Sequence, residues 1–114
     1  DADLVADLRF LPNPYWDPKL KDLTGLDAAV NDYVVSSEQA QEFLTKYADL
    51  INLVEDGYLR EGKRFVSIAM GCTGGKHRSV AISEELVKRF SESKPVNGKK
   101  ISAQVVHRDL GREI

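Results

Sequence analysis

A single cysteine, Cys72, rules out an internal disulfide, so the fold must be held by its core, as suits a reducing, cytoplasmic setting. No apolar stretch approaches the roughly 20 residues that a membrane span needs. The opening residues carry no secretory pattern and no initiator methionine. The abrupt start on Asp1-Ala2-Asp3 suggests a piece of a longer protein. There are no internal repeats and no low-complexity tract. With two histidines and one cysteine, no metal site is predicted. Aromatic residues are scarce in the second half, where only Phe65 and Phe90 occur, and both are expected in the core.

What is present suits one small domain. The chain has 114 residues, 42% apolar and 30% charged, enough for a real core. The net charge of −2 conceals an asymmetry. Residues 1–60 carry 5 Lys/Arg against 12 Asp/Glu, and residues 61–114 carry 11 against 6. A phosphorylated ligand or polyanion is therefore drawn toward the second half, unless the packed fold interleaves the two.

Leu4 to Phe10 alternates as a strand, with Asp7 and Arg9 on one face. Three prolines make residues 11–18 irregular. Leu23 to Val34 holds a short helix. Ser36-x-x-Gln39 reads as a capping box, and the stripe Ala40, Phe43, Leu44, Tyr47, Leu50, Ile51, Val54 and Tyr58 predicts a long amphipathic helix to about Leu59. Gly62 ends it. Phe65 to Met70 reads as a buried strand, residues 78–90 as a helix with Ile82, Leu86, Val87 and Phe90 facing in, and Ile101 to Val106 as a last strand. Helices between strands predict an α/β fold with a small, open, mostly parallel sheet. Ligands in such sheets sit beyond the carboxyl ends of the strands. Arg9 onward, Gly71 onward and His107-Arg108-Asp109 are expected to meet there. At least one of Tyr15 and Trp16 is read as capping the core, and His107 as either a pocket residue or a satisfied strand-end histidine.

The most informative segment is Gly71-Cys72-Thr73-Gly74-Gly75-Lys76-His77-Arg78-Ser79, a strand end, a glycine-rich loop and a helix start. Such a loop aims several backbone N–H groups at one point, the helix end adds partial positive charge, and three basic side chains surround it. A nucleotide P-loop is excluded: Gly75-Lys76 supplies the GK, but Met70 stands where the first glycine belongs and His77 where a hydroxyl is needed. Beside a bare, tight strand-to-helix turn made by the paired glycines, two functional readings remain. One is a cysteine phosphatase, C-x5-R, with Cys72 as nucleophile, Arg78 as phosphate clamp and Asp7, Asp17 or Asp109 as the acid. The other is binding without turnover, in which the amides of residues 73–76 and the Arg78 guanidinium hold a phosphate. His77 and His107 then add hydrogen bonds, Asn13 and Asp7 orient sugar hydroxyls, and Cys72 is a wall.

Four separated segments carry a family resemblance: Asp7-Leu8-Arg9-Phe10-Leu11-Pro12-Asn13-Pro14, Leu23-Thr24-Gly25-Leu26-Asp27, Gly71 to Val80, and His107-Arg108-Asp109. Over nearly its whole length the chain resembles the C-terminal domain of the RapZ (YvcJ-type) nucleotide-binding protein family. The resemblance implies a phosphofructokinase-subdomain-like α/β fold that lacks the family's N-terminal P-loop domain. That absent domain binds and hydrolyses ATP or GTP, so no cofactor is expected in this one. It also implies sensing of an amino-sugar phosphate (glucosamine 6-phosphate), binding of small regulatory RNA presented to a ribonuclease, and a homo-oligomeric protein. The family's phosphate loop maps onto Cys72, Thr73, Gly74, Gly75, His77 and Arg78, with Lys76 and Ser79 in the same run and Asn13 and His107 beside it. RNA-using relatives often end in a basic tail, whereas residues 108–114 are short and mixed in charge.

Overall fold

The computed structural model describes residues 2–92 and 102–107. Two strands and three helices follow in the order β1 (Leu4–Asp7), α1 (Ala28–Val35), α2 (Glu38–Arg60), β2 (Ile68–Gly71) and α3 (Arg78–Glu92). A short 3₁₀ turn, Pro14–Trp16, lies between β1 and α1. β1 and β2 pair in parallel, with Leu4 opposite Ile68 and Asp7 opposite Gly71. The α/β class and the parallel sense match expectation, and the sheet among the described residues has two strands.

The helices form where side-chain chemistry starts and stops them. Ser37, not Ser36, is the N-cap of α2: its Oγ accepts the Ala40 N–H. Gln41, rather than Gln39, reaches back, donating to the Val35 carbonyl at 2.6 Å. Gly62, at φ 80°, reverses the chain after the last turn. Ala40, Leu44, Tyr47 and Ile51 bury one stripe of α2, while Leu50 stays 39% exposed. α1 starts five residues later than expected because residues 24–27 are held otherwise. There the Asp27 carboxylate accepts the Thr24 N–H at 2.8 Å instead of capping the helix. Leu8, Val30, Val34, Leu44, Ile82 and Phe90 sit in one continuous core.

Four further expectations are corrected. β1 stops at Asp7, where Arg9 folds its side chain back onto the Asp7 carboxylate. β2 starts at Ile68, and Phe65 is 84% exposed rather than buried. Tyr15 and Trp16 are both exposed and pack edge-on against each other, not onto the core. Residues 102–107 form no strand; Ile101, Arg108 and Asp109 lie outside the described residues. Among the described residues, no helix is long and apolar enough to cross a membrane.

Candidate functional site

The glycine-rich loop leaves β2 at Cys72 and enters α3 at Arg78. Gly74 and Gly75 take φ of 82° and 62°, a left-handed pair that L side chains adopt at a cost of roughly 1–2 kcal/mol per residue. This reversal brings the sulfur of Cys72 against the first turn of α3. The Ser79 N–H donates to Cys72 Sγ, and the thiol donates to Ser79 Oγ, both at 3.3 Å. One of the helix's N-terminal amides is thereby satisfied by the Cys72 sulfur.

The first turn of α3 is fixed from the other side by the N-terminal third of the chain. Arg78 is 4% exposed, and its Nη1 donates to the main-chain carbonyls of Arg9 at 2.9 Å and Leu11 at 3.3 Å. His77, also buried, places Nε2 3.1 Å from the Lys21 carbonyl. Gly25 N donates to the Lys76 carbonyl at 2.9 Å. A Cβ at Gly25 would stand 2.5 Å from both Ala81 N and His77 O, so only glycine fits there. These contacts give partners to the main-chain carbonyls of Arg9, Leu11, Lys21 and Lys76.

The buried Arg78 guanidinium, expected as a phosphate clamp, here donates to the carbonyls that follow β1. Asn13 likewise acts locally, its side chain accepting the Tyr15 N–H at 3.1 Å to cap the 3₁₀ turn. Asp7 stands at the end of β1 opposite Gly71. The hydrogen bonds from Arg9, with the charge of Arg78 behind them, bring its carboxyl down to about 2.

A second group of predicted residues does come together. Cys72, Gly75, Ser79 and His107 line a groove of about 540 Å³ between β2, α3 and residues 104–107. Its volume lies within the usual range for small-molecule sites. Ser67, Ser83 and Gln104 add polar groups, and Val80, Leu86 and Val87 supply an apolar wall. His107 Nε2 lies 2.6 Å from Glu84 Oε2 on α3. Thr73 and Gly74 are exposed at the loop tip, and Lys76 is half-buried beside it. Ser83 is absent from the sequence-based site, although helical spacing already puts it on the face of Ser79 and Val87. Among the described residues, no group of three His, Cys, Asp or Glu is placed to hold a metal.

Fold and loop together define a small α/β domain organised around a strand–glycine loop–helix unit whose loop opens on a polar groove. Residues 1–111 match the RapZ C-terminal domain, and the chain belongs to that family. It is 56% identical over 113 residues to a nucleotide-binding protein of Acidothermus cellulolyticus, covering 99% of this chain and 36% of that protein. A nucleotide-binding protein of Rhodococcus erythropolis is 57% identical with the same coverage, and one of Mycobacterium avium is 56% identical over 114 residues, with 37% of its length covered. The chain thus spans little more than a third of the curated relatives it matches.

Proposed function

We propose that this chain is a regulatory domain that binds a phosphorylated small molecule, with an amino-sugar phosphate such as glucosamine 6-phosphate as the favoured ligand. One observation supports the reading: after a left-handed Gly74-Gly75 pair, Cys72, Gly75 and Ser79 line a groove that also carries Ser67 and Ser83. The phosphate is held by main-chain N–H groups of residues 73–76, with Lys76 and the Ser79 hydroxyl beside them. The sugar lies in the groove against Ser83, Gln104 and His107. Arg78, His77 and Asn13 act by positioning the loop, and Cys72 acts as a wall. We assign any binding and hydrolysis of ATP or GTP to parts of the full-length protein outside this chain.

Calorimetry on this chain tests the proposal. Glucosamine 6-phosphate binds and inorganic phosphate competes, whereas unphosphorylated glucosamine binds at least tenfold more weakly. Ser79→Asp sets a carboxylate among the amides and removes that difference. Equal binding of the two sugars by the unaltered chain refutes the site.

A second reading, binding of small regulatory RNA in a homo-oligomeric, cytoplasmic adaptor to a ribonuclease, draws on a different observation. Trp16 is 78% exposed, and Lys21 Nζ sits 4.8 Å above the ring of its neighbour Tyr15. Exposed rings beside cations are the elements of base stacking. It requires a gel shift with structured RNA that weakens steeply with salt and is lost in Trp16→Ala.

A further inference from the structure

The apolar residues of α2 form two stripes, and only one is buried. Ala40, Leu44, Tyr47 and Ile51 enter the core, and no residue of α2 beyond Ile51 belongs to it. Phe43, Leu50 and Leu53 recur at steps of seven and three, which gathers them on the neighbouring side of the helix. Leu53 is 72% exposed, Leu50 is also exposed, and Phe43 is half-buried. Phe43 stacks on Tyr47 with ring centroids 4.9 Å apart, which braces it against the core. On its other side the exposed Phe10 lies 5.7 Å away and carries the apolar surface onto the loop after β1. From Phe43 to Leu53 the strip is about 15 Å long, nearly three turns. A contiguous apolar strip with a polar rim marks a contact surface rather than ordinary scatter.

The rim has one sign. Glu42, Asp49 and Asp56 recur every seven residues and form an exposed column along the outer side of the strip. Lys46 pairs with Glu42 at 2.6 Å, while Asp49 and Asp56 have no ion-pair partner among the described residues. From Glu38 to Asp56 the helix carries five carboxylates against the single base Lys46. That charge sorts the occupants. RNA and anionic lipid surfaces are repelled. A second copy joined through the same face sets Asp49 and Asp56 against their own column. A helix with apolar side chains at three- and four-residue steps, flanked by Lys or Arg, meets both the strip and its rim.

We propose that the strip of Phe10, Phe43, Leu50 and Leu53 is a docking face for a basic amphipathic helix of a partner protein. The partner's apolar side chains lie along Leu50 and Leu53, and its flanking cations pair with Asp49 and Asp56. Three turns of one helix make a small contact of the transient kind. None of these side chains lines the groove between β2 and α3, so docking is independent of the ligand reading.

Fluorescence anisotropy with two labelled synthetic helical peptides tests the face. Both peptides carry leucine along one helical stripe; lysine flanks it in one and glutamate in the other. The chain binds the lysine peptide at least tenfold more tightly than the glutamate peptide. Leu53→Asp weakens that binding at least tenfold at unchanged Tm, although it makes the face more acidic. Asp49→Lys combined with Asp56→Lys weakens it at least tenfold as well. Attraction by charge alone gives the opposite response to Leu53→Asp, and equal or tighter binding by that variant overturns the docking face. Absence of binding by the unaltered chain overturns it too. Sedimentation separates the remaining occupant: an unaltered chain that self-associates, and a Leu53→Asp variant that does not, would make the strip an interface between copies and overturn the partner helix.

Discussion

Gly25→Ala is a small change whose sign depends on the packing against α3. Gly25 is not in the left-handed region, so chain entropy alone makes alanine stabilising by about 0.4–1 kcal/mol. Against this, the new methyl lies 2.5 Å from Ala81 N, 2.5 Å from His77 O and 2.8 Å from Val80 Cβ. The first two atoms are backbone, bonded to each other at 2.9 Å in the first turn of α3, and cannot swing away. Overpacking costs roughly 1–3 kcal/mol. Separating the segments also weakens the 2.9 Å bond from Gly25 N to Lys76 O, at about 1 kcal/mol. The net is a loss of about 1–3.5 kcal/mol. At about 4 °C per kcal/mol for a domain of this size, Tm falls by about 4–14 °C. Thermal unfolding followed by circular dichroism measures it. Gly57→Ala is the control: it lies within α2, the nearest atom to its added Cβ is Arg60 Nη2 at 3.8 Å, and it gains about 0.5–1 kcal/mol. An unchanged or raised Tm for Gly25→Ala refutes the close docking of residues 24–27 on α3.

Three other outcomes follow from the geometry. Ser37→Ala removes the acceptor for the Ala40 N–H and lowers stability by about 1 kcal/mol, while Ser36→Ala changes it little; paired urea titrations check both. Arg78→Met leaves the carbonyls of Arg9 and Leu11 without their charged donor and costs about 2–3 kcal/mol, read as a lower urea midpoint that Arg78→Lys partly restores. An unchanged midpoint in Arg78→Met would mean that the arginine is not a strut. In Asp7 the carboxyl sits at about 2 in the folded chain against an ordinary 3.8. The unfolded chain therefore binds more protons between those values, and stability rises with pH through that window. The advantage of the native chain over Asp7→Asn is full above about pH 4 and fades toward pH 2; parallel melting curves that show no such convergence contradict the Asp7–Arg9 pairing.

The sequence makes the large periodic elements plain and hides what depends on distant partners. α2 and α3 are legible because their apolar stripes recur at helical spacing, and the stop of α2 at Gly62 is local. The choice between Ser36 and Ser37 as cap is not, since both precede the same stripe and only the backbone direction after α1 decides. The loop at residues 72–78 is legible as a reversal from Gly74-Gly75. The direction of Arg78 is not, because the carbonyls it serves lie 69 and 67 residues earlier. Asn13 shows the same limit in reverse: its motif is recognisable, yet its side chain is taken by a turn two residues away. Ser67, Ser83 and Gln104 carry no motif, and only the assembled groove gathers them.

The parallel pairing of β1 with β2 sets a timetable for the molecule. Asp3 and Ser67, linked where the ladder begins, are separated by 64 residues of chain. At a synthesis rate of about 5–20 residues per second, the first strand waits roughly 3–13 s after it is made before its partner exists. α2 can begin to form in that interval, since its cap and its stripe lie within its own sequence. The glycine loop cannot mature so early, because its struts at Arg9, Leu11, Lys21 and Gly25 are made well before it and meet it only once the loop itself has emerged. The candidate site is therefore among the last parts of the domain to become native.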